Sequence, residues 1–202
     1  MVDSSDRREA TYQDVLDAPE HMTAELIDGE LFLSPRPAVP HAVSTMNLAM
    51  ELAGPFMRRR GGGPGGWIIL FEPELHFGKQ VVVPDIAGWR HDRLQLGDND
   101  KFLTIAPDWV CEALSKSTER IDRAKKMDVY LAAGVPHLWF LDERRRKLEV
   151  YRAIDGRFEL IAKYDQKDVV RAVPFEAIEL RIASLFTDLP NRTGEEAVDY
   201  GR

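Results

Sequence analysis

The stretch Pro107-Asp-Trp-Val-Cys-Glu-Ala-Leu-Ser-Lys-Ser-Thr118, running on through Glu119 to Ala133 and closing on Gly134-Val-Pro-His-Leu-Trp-Phe-Leu141, decides the fold. Pro107 to Leu114 is short and mostly apolar, the pattern of a buried strand. Ser115 to Thr118 supplies hydroxyl caps for a helix over about Glu119 to Ala133, which Gly134 and Pro136 stop. His137 to Leu141 reads as a second buried strand. One strand-helix-strand unit predicts a locally parallel pair, and with the hairpins around it an α/β or α+β class built on a mixed sheet.

The hairpins are signalled by their turns. Glu25-Leu-Ile-Asp28-Gly29-Glu30-Leu-Phe-Leu33 sets an Asp-Gly pair between two apolar runs and puts Glu25 on the first strand. Leu75 to Phe77 and Gln80 to Ile86 flank Gly78-Lys79, and Lys147 to Ile154 and Arg157 to Tyr164 flank Asp155-Gly156. Thr11 caps a short helix over Tyr12 to Leu16. Val43, Met46, Met50, Ala53 and Met57, at alternating spacings of three and four, define the apolar face of a long helix. It runs into Arg58-Arg59-Arg60 and a glycine-rich loop from Gly61 to Gly66. Arg90 to Lys101 reads as loop, Val169 to Val173 as a strand, and Leu180 to Phe186 as the segment that closes the core. The domain reading is a disordered N-terminus over 1–10, a single domain over 11–189 and a flexible tail over 190–202.

Composition narrows the function. At 202 residues, 44% hydrophobic, the chain suits one globular domain that buries roughly 70% of its surface. A lone Cys111 rules out an internal disulfide and a Cys-rich metal site. No apolar run approaches the ~20 residues that span a bilayer, and the polar start lacks a secretory signal, so a cytoplasmic protein without membrane contact is expected. A net charge of −7 argues against an indiscriminate polyanion binder. Gly61 to Gly66 lacks the Lys-Ser/Thr of a phosphate loop and no dinucleotide fingerprint is present, so no nucleotide cofactor is expected. Histidines 21, 41, 76, 91 and 137 have no zinc-ligand spacing.

What remains is carboxylates among core residues. Val81-Val-Val-Pro-Asp85-Ile-Ala ends a hydrophobic strand in an aspartate, and Trp109-Val-Cys-Glu112-Ala-Leu sets a glutamate inside another. A carboxylate in such surroundings must be paired, protonated or bound to a cation. Two on adjacent strands make an oxygen-rich site for a hard cation such as magnesium; the plainer alternative is that Asp85 caps a turn and Glu112 pairs with a buried arginine. Cys111, on the opposite face of its strand from Glu112, reads as a small core residue, as do Trp139 and Phe140.

Taken in order, Glu25-Leu-Ile-Asp-Gly-Glu-Leu, Ser34-Pro-x-Pro with His41, Val83-Pro-Asp85, Pro107-Asp-x-Val-x-Glu112-x-Leu-Ser115-x-Ser-Thr, Asp122-Arg-x-x-Lys126-x-x-x-Tyr130 and Gly134-Val-x-x-x-Trp139 resemble the Uma-type restriction endonucleases of the PD-(D/E)xK nuclease superfamily, over roughly Tyr12 to Phe186. The resemblance implies a restriction-endonuclease-like mixed sheet flanked by helices, with N-terminal and C-terminal hairpins, and metal-dependent phosphodiester hydrolysis. Asp85 and Glu112 match its metal-binding acids. Where the superfamily carries lysine, two residues after Glu112, this chain has Leu114, and the matching lysine is Lys126 on the following helix. Glu25 matches a further acidic position.

The expected catalytic set is thus Glu25, Asp85, Glu112 and Lys126, with magnesium, or manganese in its place, held by Asp85, Glu112 and the Ala113 carbonyl. DNA is the expected substrate, Arg58, Arg59 and Arg60 the expected nucleic-acid contact, and a homodimer the expected assembly, since cutting both strands pairs two sites. From spacing alone, Asp122, Lys126 and Tyr130 form a stripe flanking the face of Ala124, Met127 and Leu131, and the first two make an exposed ion pair. Lys125 competes with Lys126, and His41 either caps, packs or acts directly. A binding or regulatory module with weak catalysis on the same fold is the alternative function.

Overall fold

The computed structural model describes residues 8–188; most of the N-terminal segment and the tail assigned above lie outside them. Chain order is α1 (Tyr12–Leu16), β1 (Met22–Ile27), β2 (Glu30–Pro35), α2 (Val39–Met57), β3 (Trp67–Phe71), β4 (Leu75–Phe77), β5 (Gln80–Val82), β6 (Ile86–Arg90), β7 (Trp109–Ala113), α3 (Glu119–Ile121), a π-helical stretch (Asp122–Lys126), α4 (Met127–Ala133), β8 (His137–Asp142), β9 (Lys147–Ile154), β10 (Arg157–Asp165), β11 (Val169–Val170) and β12 (Leu180–Arg181). Asp28 and Gly29 at φ 52° and 72°, and Asp155 and Gly156 at 47° and 77°, give the two hairpins the left-handed pair of a type I′ turn.

A six-stranded sheet, β10-β9-β8-β7-β6-β3, is antiparallel except for the β7–β8 pair, which is parallel as the strand-helix-strand unit predicts. A four-stranded antiparallel sheet, β2-β1-β5-β4, lies over part of it. One face of the large sheet carries Trp109, Cys111, Trp139 and Leu141 and packs on α2 and the C-terminal segment through Phe175, Ile182 and Leu185. The other carries Ala87, Val110, Leu114 and Phe140 and packs on the small sheet and α4 through Ile27, Val82, Val129 and Tyr130. This is the mixed sheet flanked by helices, with hairpins toward both ends, that the resemblance implies. Among the described residues no helix is long and apolar enough to cross a membrane.

Three local readings are corrected. The buried face of α2 is Leu48, Leu52 and Phe56 with Ser44 and Thr45, whereas Met46 and Met50 are 52% and 66% exposed. Ser44 and Thr45 look polar in sequence, yet their hydroxyls donate to the carbonyls of Pro40 and His41 and so can be buried. The run Gln80 to Ile86 breaks at Val83-Pro84-Asp85, because Pro84 has no N–H for a ladder, and Ile86 starts a strand that extends to Arg90. The glycine-rich loop contains one 3₁₀ turn at Arg60–Gly62.

Candidate active site

Residue parity sends Glu112 to the face of β7 opposite Cys111, toward β1 and the helix that follows. Glu25 reaches the same point from β1, and its Oε1 accepts the Val83 N–H at 2.8 Å, which ties the hairpin to the broken β5–β6 link. The helix delivers the rest. A π turn through Asp122–Lys126 widens the spiral where Asp122 and Lys126 must both face the sheet. Their expected exposure is therefore wrong: Asp122 is 4% exposed and Lys126 2%, while Ala124, expected on the apolar face, is outward. Lys125 points elsewhere, 2.9 Å from Glu30 and over the Phe32 ring.

Lys126 Nζ stands 2.7 Å from Glu112 Oε1, 2.9 Å from Glu25 Oε1 and 3.8 Å from Asp122 Oδ1, and donates to the Val83 carbonyl. The arginine partner considered for Glu112 is thus a lysine. Tyr130 O–H donates to the same Glu112 oxygen. Asp85 sits in the bend before β6; its Oδ2 accepts the Ala113 N–H at 2.7 Å and its Oδ1 lies 2.7 Å from His41 Nε2, at the start of α2. Glu25, Asp85, Glu112 and Lys126 therefore come together. Arg58, Arg59 and Arg60 do not join them: they follow the far end of α2, some 26 Å along its axis from His41 at about 1.5 Å per residue.

Three acids on one lysine, with Asp85 near enough to act on Glu112, leave excess negative charge in a buried place. Burial, with the charges of Asp122, Asp85 and Glu25, pushes the Glu112 carboxyl well above the usual range against the pull of Lys126. Burial raises Asp122 to about 6, although Lys126 and Thr118 pull it down. Burial alone would lower Lys126, but Glu112 and Glu25 outweigh it and hold the ammonium charged. For His41, Asp85 outweighs burial and raises the imidazole. Among the described residues no three acidic, His or Cys side chains form a ready-made metal cluster, since Lys126 occupies the centre. Glu112 Oε2 takes none of these bonds, and Glu112 and Asp85 both line a cavity of about 400 Å³ that opens to solvent.

Residues matching the Uma2 family, described as "Putative restriction endonuclease", span 10–183. The chain belongs to the Uma2 family. A solved structure described as a putative nuclease belonging to DUF820, from Anabaena variabilis ATCC 29413, is similar at 25% identity over 87% of this chain and 97% of that one, with a TM-score of 0.72. No curated protein matches the chain.

Within this Uma2 protein some site residues escaped the sequence reading. Glu72 lines the cavity in a left-handed conformation, φ 45°, with its N–H donating to the Asp85 carbonyl; burial and Asp85 raise its carboxyl. Nothing in Phe71-Glu72-Pro73 signals this beyond the proline that ends the strand. Arg36 and Lys116 stand on two loops at the cavity mouth, where a sequence shows only solvated charge.

Proposed function

We propose that this protein is a metal-dependent endonuclease hydrolysing phosphodiester bonds in DNA, with Asp85 and Glu112 as the magnesium ligands and manganese as a substitute. The observation that carries the reading is the convergence of Glu25, Glu112 and Asp122 on the buried Lys126, with Asp85 lining the same open cavity. The donor set suits a hard cation: two carboxylates and the Ala113 carbonyl are all oxygen, and Glu112 keeps one oxygen uncommitted. Mutual repulsion among the acids favours a divalent ion that would relieve it. Bound there, magnesium would polarise the scissile phosphate and lower the pKa of an attacking water.

The chain's own groups supply the rest. Ala113 N–H and His41 orient the Asp85 carboxylate, and Tyr130 orients Glu112. Lys126, kept charged, stabilises negative charge building on the phosphate. Glu25, held by Val83 N–H and Lys126, is the acid left to take the proton of the water. Cys111, buried in the core with its thiol raised by burial, has no part in the chemistry and suits a cytoplasmic enzyme.

The test is magnesium-dependent cleavage of DNA by the wild type and by Asp85→Ala and Glu112→Ala, each checked for folding by circular dichroism. Each change lowers the rate more than ~100-fold. Full activity in either ends the reading. Calorimetry with magnesium should give binding that Glu112→Ala abolishes; tight DNA binding without hydrolysis would instead identify a regulatory module.

A further inference from the structure

The charged and apolar linings of the cavity mouth suit a particular form of nucleic acid. Arg36, between Pro35 and Pro37 on the β2–α2 link, and Lys116, on the turn after β7, both line the cavity and are exposed. Neither has an acidic partner within ion-pair distance among the described residues, whereas Arg144, a third cation lining the cavity, is committed to Glu119 at 2.5 Å. Backbone binding to a duplex draws its affinity from neutralised phosphates, and strongly salt-sensitive binders make on the order of 6–10 such contacts. Two uncommitted cations at the mouth of a site in a chain of net charge −7 match a contact with about two. Beside them the lining is apolar, formed by the exposed Pro37 and Pro40 with the half-buried Val83. Phosphates of a paired duplex would leave such a lining wet, because the bases stay in the stack; an unpaired nucleotide can remove apolar area from water by laying its base or sugar on it.

We infer that the site takes an unpaired DNA strand, gripped by Arg36 and Lys116 on successive phosphates, with Arg58 to Arg60 taking no part. This rests on the nuclease reading above. An unpaired strand needs one site, and so does not call for the paired sites that cutting a duplex would require.

The experiment is fluorescence anisotropy of the full chain with a labelled oligo(dT) strand and a duplex of the same length, in calcium rather than magnesium, with the probe checked intact on a gel. Expected are at least tenfold tighter binding of oligo(dT) and a log K against log salt slope near −1.4, from ~0.7 for each of two phosphates. Arg36→Ala with Lys116→Ala flattens the slope and weakens binding about tenfold or more, while changing Arg58, Arg59 and Arg60 together to Ala leaves both unchanged. Single changes at Arg36 or Lys116, exposed and outside the core, guard against misfolding and give about half the flattening. Tighter duplex binding, no binding of oligo(dT), or an unaffected double variant overturns the inference. Magnesium-dependent cleavage of a preferred duplex would overturn it while sparing the nuclease reading; strand binding by a chain that never cleaves would do the reverse.

Discussion

Lys126 and Glu112 meet 2.7 Å apart with both side chains buried, so the cation at the floor of the cavity is also the structural counter-charge of its acids. Removing one partner of a buried pair leaves the other uncompensated, typically at 3–5 kcal/mol. Lys126→Met, which keeps the stem's volume, should therefore lower unfolding free energy by about 3–5 kcal/mol in urea at pH 7. The loss should shrink in acid as Glu112 and its neighbours take up protons. A Met variant as stable as the wild type at pH 7 would mean the acids are neutral without it.

Asp122 gives the opposite sign. Its carboxyl is raised to about 6 in the folded chain, above the 3.8 of a free aspartate, so the folded state binds the extra proton between those values. Stability from this group is present in full below pH 4 and is lost as pH rises through 6. Asp122→Asn, which cannot ionise, should therefore be more stable than the wild type at pH 8 by up to about 3 kcal/mol, with the gain fading toward pH 4. Thermal melts of both proteins across that range measure it; a variant less stable at pH 8 would show that Lys126 needs the Asp122 charge more than burial penalises it.

Local signals made the frame legible. Asp28-Gly29 and Asp155-Gly156 are positive-φ pairs that few other residues would tolerate, and the strand-helix-strand order from Pro107 to Leu141 leaves little choice but a parallel pair. Glu112 and Asp85 stood out because a charge inside an apolar strand has to be answered by something. The answer was less readable. Ideal helix spacing puts Asp122 and Lys126 on a flank, and only the π turn, which no residue in Asp122-Arg-Ala-Lys-Lys126 advertises, brings them inward. Glu72, Arg36 and Lys116 reach the cavity through loop paths set by tertiary packing, and loops carry no periodicity to read.

Tyr130 belongs to the same stripe and its ring is part of the core, so Tyr130→Phe isolates the hydroxyl that Glu112 accepts from. The lost bond to a buried carboxylate should cost about 1–3 kcal/mol in urea. Because the hydroxyl also orients a proposed metal ligand, cleavage and magnesium affinity should fall about 10–100-fold, with affinity for oligo(dT) unchanged. Unchanged cleavage would leave Tyr130 as packing only.

The face of α2 can be decided by two substitutions only two residues apart, on opposite sides of the helix. Leu52 is fully buried against the large sheet and Met50 is two-thirds exposed, although both are apolar and the methionine fits the helical spacing at least as well. Leu52→Ala should open a cavity and cost about 2–5 kcal/mol, whereas Met50→Ala should stay within about 0.5 kcal/mol. Denaturant midpoints with unchanged m-values check both. Equal losses would mean that Met50 is covered in solution, and a molecular mass twice that of the chain by light scattering would then identify a second copy as the cover.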